Sequence, residues 1–148
     1  MIALTLFARL VLALPEGRDS EVILRDMTGA DCVRQVFAIT EEAASKLPQW
    51  SPTKDLPPLS IAKATTLATE WVTKQHPKFD SVELRSIELE KVGWGRYPNR
   101  WYYLLQFDPV IEGRKFFGGE LLVAITMDGT VVPPRSETVK SAAMPCQQ

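Results

Sequence analysis

Apolar residues recur at helical spacing through residues 57–75, PPLSIAKATTLATEWVTKQ. The stripe they form contains Ile61, Ala64, Leu67, Ala68, Trp71, Val72 and Gln75. Threonine, lysine and glutamate residues cover the opposite side, which is typical of a helix with one buried face. Ser60 is a good N-cap, and Pro77 disfavours helical geometry at His76. The pattern therefore predicts one long amphipathic helix that ends at Gln75.

The segments that follow this helix alternate as strands do. They are residues 81–92, 100–108, 120–127 and 130–132. In the first segment Val82 and Leu84 have the opposite parity to Ile87 and Leu89, so one extra residue near Arg85 is needed to bring all four to one face. We therefore expect a β-bulge at Arg85 and Ser86.

The two middle segments are apolar on both faces, which predicts central strands. Asp128-Gly129 is a strong signal for a two-residue hairpin turn between the last two segments. Pro133-Pro134 ends the final strand. The residues from Arg135 onward show no periodicity and are expected to form a loose tail.

Two shorter segments precede the long helix, residues 21–27 and 32–39. The second also fits a helix through Val33, Val36 and Phe37, but its β-branched residues favour a strand and hence a hairpin. Thr40 is expected to cap a short helix, EEAASK. Residues 48–59 are a proline-rich connector, with Trp50 as its apolar anchor.

Together these elements predict an α+β fold in which the long amphipathic helix packs across an antiparallel meander sheet, with an N-terminal strand pair. Residues 1–20 form an apolar N-terminal segment, residues 21–134 a single domain, and residues 135–148 the tail. A chain of 148 residues is long enough to bury one core.

The composition limits the classes of partner that the protein is expected to bind. The formal net charge is −1 and the pI is near 5.9, so there is no electrostatic reason to expect a nucleic-acid partner. No segment has the roughly 18 apolar residues of an integral membrane span.

Residues 1–15 resemble the hydrophobic region of a signal peptide but lack a preceding Lys or Arg and a following cleavage site. A buried element and a misplaced start are the alternatives, so periplasmic or secreted and cytoplasmic locations stay open.

The chain has two cysteines, Cys32 and Cys146, far apart in sequence. In an exported protein they would be able to form a disulfide. The preferred interpretation is that Cys32 is a buried apolar residue and Cys146, near the end of the tail, is unpaired.

Few residues suggest catalysis. His76 is the only histidine, and its position at a helix end favours a capping role. Metalloprotease, nucleotide-binding and nucleophile motifs are absent from the sequence. Glu83, Glu88 and Glu90 are expected to form a solvated face. We therefore expect no catalytic residues, no metal site and no cofactor.

The most distinctive polar and aromatic cluster is GWGRYPNRW, residues 93–101. As a recognition loop it would bind through Trp94, Arg96, Tyr97 and Arg100, because Trp, Tyr and Arg concentrate binding energy at interfaces. Arg114 and Phe117 would extend this surface if the two loops lie on one side of the sheet. The alternative is a hairpin loop whose Trp94 folds back onto the sheet edge.

Several short segments of the sequence resemble segments of a known family of small α+β proteins. LSIAKA at residues 59–64, WYYLLQF at residues 101–107 and MDGTVV at residues 127–132 resemble PepSY-like and cystatin-like proteins over roughly residues 48–134. The PepSY resemblance implies a bacterial envelope or extracellular module, with peptidase inhibition proposed for the family. The cystatin resemblance is one of layout, because the Q-x-V-x-G loop is not present.

These observations predict a non-enzymatic module that binds a protein or peptide. The alternative is a small-ligand carrier with a pocket between helix and sheet, lined by Trp71, Trp101, Tyr103 and Phe107. A third hypothesis, an enzyme with dispersed carboxylates, would need acids that converge in a cleft. The oligomeric state stays open.

Overall fold

The structure is a computed structural model that describes residues 20–29, 32–117 and 121–138. Its elements in chain order are β1 (Glu21–Thr28), β2 (Val33–Thr40), α1 (Glu41–Lys46), α2 (Ile61–Gln75), β3 (Ser81–Lys91), β4 (Trp101–Ile111), β5 (Arg114–Lys115), β6 (Leu121–Thr126), β7 (Val131–Val132) and β8 (Arg135–Thr138). The predicted signal-like segment, the end of the expected tail and Cys146 lie outside the described residues.

The strands form two antiparallel sheets. Sheet A has the order β1-β2-β8, and sheet B has the order β3-β4-β6-β7, with β5 paired to the far end of β4. The hairpin predicted from residues 21–39 is confirmed by the pairing of β1 with β2. The chain passes from sheet B to sheet A at Pro133-Pro134, since neither residue belongs to a strand.

Both helices begin where capping chemistry predicts. The Ser60 hydroxyl accepts a hydrogen bond from the Lys63 backbone N–H at 3.2 Å and starts α2, which ends at Gln75 as expected. The Thr40 hydroxyl accepts from the Ala43 N–H at 3.1 Å and starts α1. These side chains satisfy backbone donors that a first helical turn leaves free.

Sheet B has an apolar core on each of its faces. On one face Tyr103, Leu105 and Phe107 of β4 pack against the small residues Ala64 and Ala68 of α2. On the other face the β4 and β6 side chains meet residues of β1, β2 and α1. This second cluster includes Val22, Leu24, Phe37, Ala44, Tyr102, Leu104, Leu122 and Ala124. The central strands are therefore apolar on both faces because each face has its own covering layer.

The predicted α+β fold class is wrong. Of the described residues 46% lie in strands and 22% are helical when the 3₁₀ turn Val92–Gly95 is included, and α2 is their only helix of seven or more residues. The described part of the protein is mostly β, with antiparallel sheets of three and five strands. The physical reason is the second apolar face of β4 and β6, which a single helix on a single meander would leave exposed.

Two further details differ from the sequence-based expectation. Arg135–Thr138 form β8 and pair with β2, so this part of the expected tail is a strand. The hairpin after β6 has a three-residue loop instead of the predicted two-residue turn. The Thr126 N–H donates to the Thr130 carbonyl at 3.0 Å, and Gly129, the last residue of the loop, has φ of 87°. A type I turn closed by a left-handed glycine gives this geometry.

The predicted β-bulge is confirmed. Leu84 faces Phe107 while Ser86 faces Gln106, so Arg85 is the extra residue of β3. The bulge brings Val82 and Ile87 to the face that packs against α2. It also leaves Arg85 on the opposite side, where its guanidinium reaches Asp108 of β4.

Candidate functional site

The loop between β3 and β4, residues 92–100, has an unusual backbone. Gly93 and Trp94 both have φ of 57°, Gly95 has φ of 89° and Asn99 has φ of 58°. Bulky residues rarely adopt the left-handed region, because the Cβ atom crowds the following carbonyl. Trp94 is thus held in a strained conformation, a feature that often accompanies functional sites.

Gly93 is required at its position by two constraints. Its φ favours glycine, and a Cβ atom would lie 3.1 Å from side-chain atoms of both Tyr97 and Val22. Gly95 has the same kind of backbone but no heavy atom within 4 Å of its would-be Cβ. Gly93 therefore allows the loop to pack closely against β1, whereas Gly95 only permits the turn.

Several hydrogen bonds fix the loop to the rest of the domain. The Val92 N–H donates to the Arg100 carbonyl at 3.0 Å, and the Arg96 N–H donates to the Gly93 carbonyl at 3.0 Å. The Asn99 carbonyl accepts from the Trp50 N–H at 2.8 Å. The Arg100 guanidinium donates to the Ser45 carbonyl at 2.7 Å. These bonds tie the loop to α1 and to the connector that precedes α2.

The four predicted loop residues have different environments. Trp94 is 79% exposed, so it does not fold back onto the sheet edge. Tyr97 is half-buried and packs against the core cluster between the sheets. Arg96 forms an exposed ion pair with Glu41 at 2.9 Å, and its guanidinium lies 5.7 Å from the Tyr97 ring centre. Arg100 has a structural role, because its guanidinium donates a hydrogen bond to the Ser45 carbonyl.

A cleft of about 260 Å³ lies beside Trp94. Its walls come from β1, the end of β3, the loop and the start of β4. They consist of Leu24, Arg25, Leu89, Glu90, Lys91, Trp94, Trp101 and Tyr102. The Lys91 ammonium lies 5.3 Å from the Trp101 ring centre, a cation–π distance. The cleft has the size of one large side chain and offers aromatic walls with charged groups at its edge.

Tyr102 is a structural wall of this cleft. It is 1% exposed, and its hydroxyl donates to the Leu24 carbonyl at 2.7 Å. Burial raises the pKa of Tyr102 well above its ordinary value, and the nearby Glu90 carboxylate raises it further. The phenol therefore stays neutral and holds β1 against β4.

The predicted extension of the site lies elsewhere. Arg114 and Phe117 follow the far end of β4, whereas the Trp94 loop precedes its first residue. Ten residue steps of an extended strand separate the two loops by about 30 Å. Phe117 is 76% exposed and Arg114 is exposed, but they do not form one continuous patch with Trp94.

Phe117 lies over a charged cluster of its own. The Lys115 ammonium and the Arg85 guanidinium carbon are 5.5 Å and 6.0 Å from its ring centre. Both cations pair with Asp108, which is 1% exposed. Burial acts to raise the pKa of Asp108, but hydrogen bonds from Arg85 and Lys115 outweigh it and hold that pKa below its ordinary value.

The aromatic residues considered for a ligand pocket are mainly core. Tyr103 and Phe107 are buried, and Trp71 and Trp101 pack against the same cluster beneath α2. The Tyr103 hydroxyl donates to the Leu59 carbonyl at 3.1 Å, and the Trp101 indole N–H donates to the Trp50 carbonyl at 3.0 Å. These bonds tie the helix layer to sheet B.

Other chemistry-bearing residues of the described ranges lie apart from one another. His76 follows α2, its backbone N–H donates to the Val72 carbonyl at 2.9 Å, and its ring stacks on Phe79. Residues 20–29, 32–117 and 121–138 contain no group of three or more His, Cys, Asp or Glu placed to hold a metal ion. Cys32 is half-buried and disulfide-bonded, so the preferred interpretation of it as a buried apolar residue outside any disulfide is wrong.

Sequence reasoning missed Arg25 and Lys91, which flank the cleft. Lys91 stands two residues before Gly93, so its closeness to the loop was a usable signal. Arg25 lies in β1, and its place at the cleft follows from the packing of sheet A on sheet B. No local pattern announces that contact.

In the part of the chain that the structure describes, no helix is long and apolar enough to cross a membrane. A scan of protein-family models, a search of curated proteins and a search of solved structures each find no match to this chain. Function is therefore inferred from the chemistry of the site alone.

Proposed function

We propose that this protein is a non-enzymatic binding module that captures a protein or peptide through Trp94 and the adjoining cleft. The observation that carries the proposal is the exposed, strained Trp94 on a loop anchored at both ends. A purely structural hairpin loop gains nothing from a tryptophan in the left-handed region, since glycine would fit there without strain.

The size and lining of the cleft favour a peptide partner over a free small ligand. Typical pockets for small molecules enclose most of the ligand and exceed about 300 Å³. This cleft is smaller, and Trp94 projects beside it into solvent. Such an arrangement suits one anchoring side chain of a larger partner, with Trp94 covering the contact.

Selection from a library of random displayed peptides tests this function. We expect enrichment on the wild-type protein and a loss of at least about tenfold in affinity for Trp94→Ala, because a central Trp is the type of residue that dominates binding energy. Phe117→Ala is the matched control, since it truncates an equally exposed aromatic residue at the other end of β4.

Both variants should keep the wild-type unfolding midpoint, because each removes a solvent-exposed ring. The proposal is rejected if no peptides are enriched, or if the enriched peptides bind Trp94→Ala as well as they bind the wild type. Equal losses in the two variants would mean that the contact surface is not centred on the cleft.

A further inference from the structure

The charged groups at the cleft determine which peptides it accepts. The cleft is lined by two cations, Arg25 and Lys91, and by one carboxylate, Glu90. Neither cation has a carboxylate within ion-pairing distance among the described residues. Most other arginines of these ranges do have such a partner, including Arg34, Arg85, Arg96 and Arg135.

Arg25 is the more informative of the two. Its Nε atom is buried and donates to no acceptor in the described part of the chain. A buried donor without an acceptor costs free energy, so such a group usually has a partner. The Arg25 side chain lines the cleft together with Tyr102 and Leu24.

Lys91 supplies the second positive charge. Its ammonium rests over the Trp101 ring, which positions it while leaving its hydrogen bonds to solvent. The aromatic face is thereby already occupied by a cation, so a cationic ligand would have to displace Lys91. An anionic group would instead add to the contact.

We infer that the cleft prefers a peptide in which a large apolar side chain is flanked by carboxylates. The apolar side chain would fill the cleft between Trp94 and Trp101, and the carboxylates would pair with Arg25 and Lys91. This preference rests on the proposed function and adds the chemistry of the partner to it.

Three capped tripeptides, Asp-Phe-Asp, Ser-Phe-Ser and Lys-Phe-Lys, test the preference. Binding is followed by the NMR shift of the Trp94 indole N–H at low and high salt. We expect Asp-Phe-Asp to bind about tenfold more tightly than Lys-Phe-Lys at low salt, as two partly exposed ion pairs allow. The advantage should shrink at high salt because exposed charges are screened.

The double variant Arg25→Gln, Lys91→Gln should abolish the difference in affinity between Asp-Phe-Asp and Lys-Phe-Lys. The matched control is Lys63→Gln with Lys74→Gln, which removes the same charge from the exposed side of α2. If the double variant is unfolded, the salt series on the wild type decides the question alone.

The outcomes separate the two proposals. Equal binding of all three tripeptides at the Trp94 signal overturns the charge preference and leaves the binding function standing. An advantage that survives in the double variant also overturns the assignment to Arg25 and Lys91. Absence of any shift at Trp94 with all three tripeptides contradicts both proposals.

Discussion

Trp94 combines an exposed aromatic ring with a backbone conformation that suits glycine. The neighbouring glycines, Gly93 and Gly95, relieve the strain at their own positions, but Trp94 does not. Strain of this kind costs of the order of 1 kcal/mol and persists only where the surroundings impose it. The hydrogen bonds of Val92 and Arg96 supply that constraint, so stability is given up at the residue proposed to bind.

Replacing Trp94 by glycine should therefore stabilise the protein and remove binding together. We expect Trp94→Gly to exceed Trp94→Ala in free energy of unfolding by about 1 kcal/mol, because only glycine fits this φ without strain. Urea unfolding measures the difference, and peptide binding is recorded on the same samples.

The same pair of substitutions at Thr66, on the exposed side of α2, is the control. There glycine should be less stable than alanine by about 1 kcal/mol, the ordinary difference within a helix. A lower stability of Trp94→Gly than of Trp94→Ala would show that the backbone at this position is not strained.

Asp108 joins three neighbouring strands, because its carboxylate in β4 pairs with Arg85 of β3 and Lys115 of β5. The bulge in β3 makes this possible by adding Arg85 on the side of Asp108. Lys115 also pairs with Glu83 at 2.9 Å. These charges connect the far end of β4 to β3 and β5.

This pairing predicts a pH dependence of stability. The pKa of Asp108 lies below its ordinary 3.8 in the folded protein, so the folded state favours the ionised carboxylate. Its contribution is complete above pH of about 4 and is lost as the pH falls through the lowered pKa. The stability advantage of the wild type over Asp108→Asn should accordingly shrink between neutral pH and strong acid.

Urea unfolding at a series of pH values measures this advantage. Glu42→Gln is the control, since the Glu42 carboxylate also pairs with a lysine but is exposed on α1, so its effect should be smaller. A wild-type advantage that is constant down to strong acid would contradict the assignment to Asp108.

Local signals predicted most of the individual elements. The caps at Thr40 and Ser60, the end of α2 before Pro77 and the bulge at Arg85 follow from short-range chemistry, and all four are confirmed. The strand β8 was missed, because Arg135–Thr138 is short, polar and preceded by two prolines. It becomes a strand only because β2 offers it an edge, which is a long-range effect.

The candidate site likewise combines features that a local sequence signal predicts with features that depend on tertiary structure. Trp94 and its loop were found from composition and turn residues alone. Arg25 was not, because its place beside the cleft depends on how two sheets pack. The separation of Trp94 from Phe117 also depends on tertiary structure, since only the length of β4 places them at opposite ends.

The described part of the molecule forms three layers, with sheet B between α2 and sheet A. Each outer layer covers one apolar face of the central strands, so neither is dispensable. Sheet A depends on the last described strand, because β8 forms one of its edges and Arg135 pairs with Glu21 of β1 at 2.8 Å.

Two truncations test how much β8 contributes. A chain that ends after Pro134 should have a lower unfolding midpoint than one that ends after Thr138, because the first loses the pairing of β8 with β2. In hydrogen exchange the β2 amides should lose protection, while the β4 amides keep theirs. Since both chains lack residues 139–148, their difference reports β8 alone. Equal midpoints and equal β2 protection would mean that β8 adds nothing to sheet A.

The path of the chain also sets an order of events during synthesis. Strand β2 leaves the ribosome before its partner β8, which emerges about a hundred residues later. Until then one edge of β2 has unpaired backbone groups, open to pairing with another nascent chain. The charged side chain of Arg34 on this strand makes pairing with another nascent chain less favourable. Sheet A is complete only after almost the entire described chain has been translated.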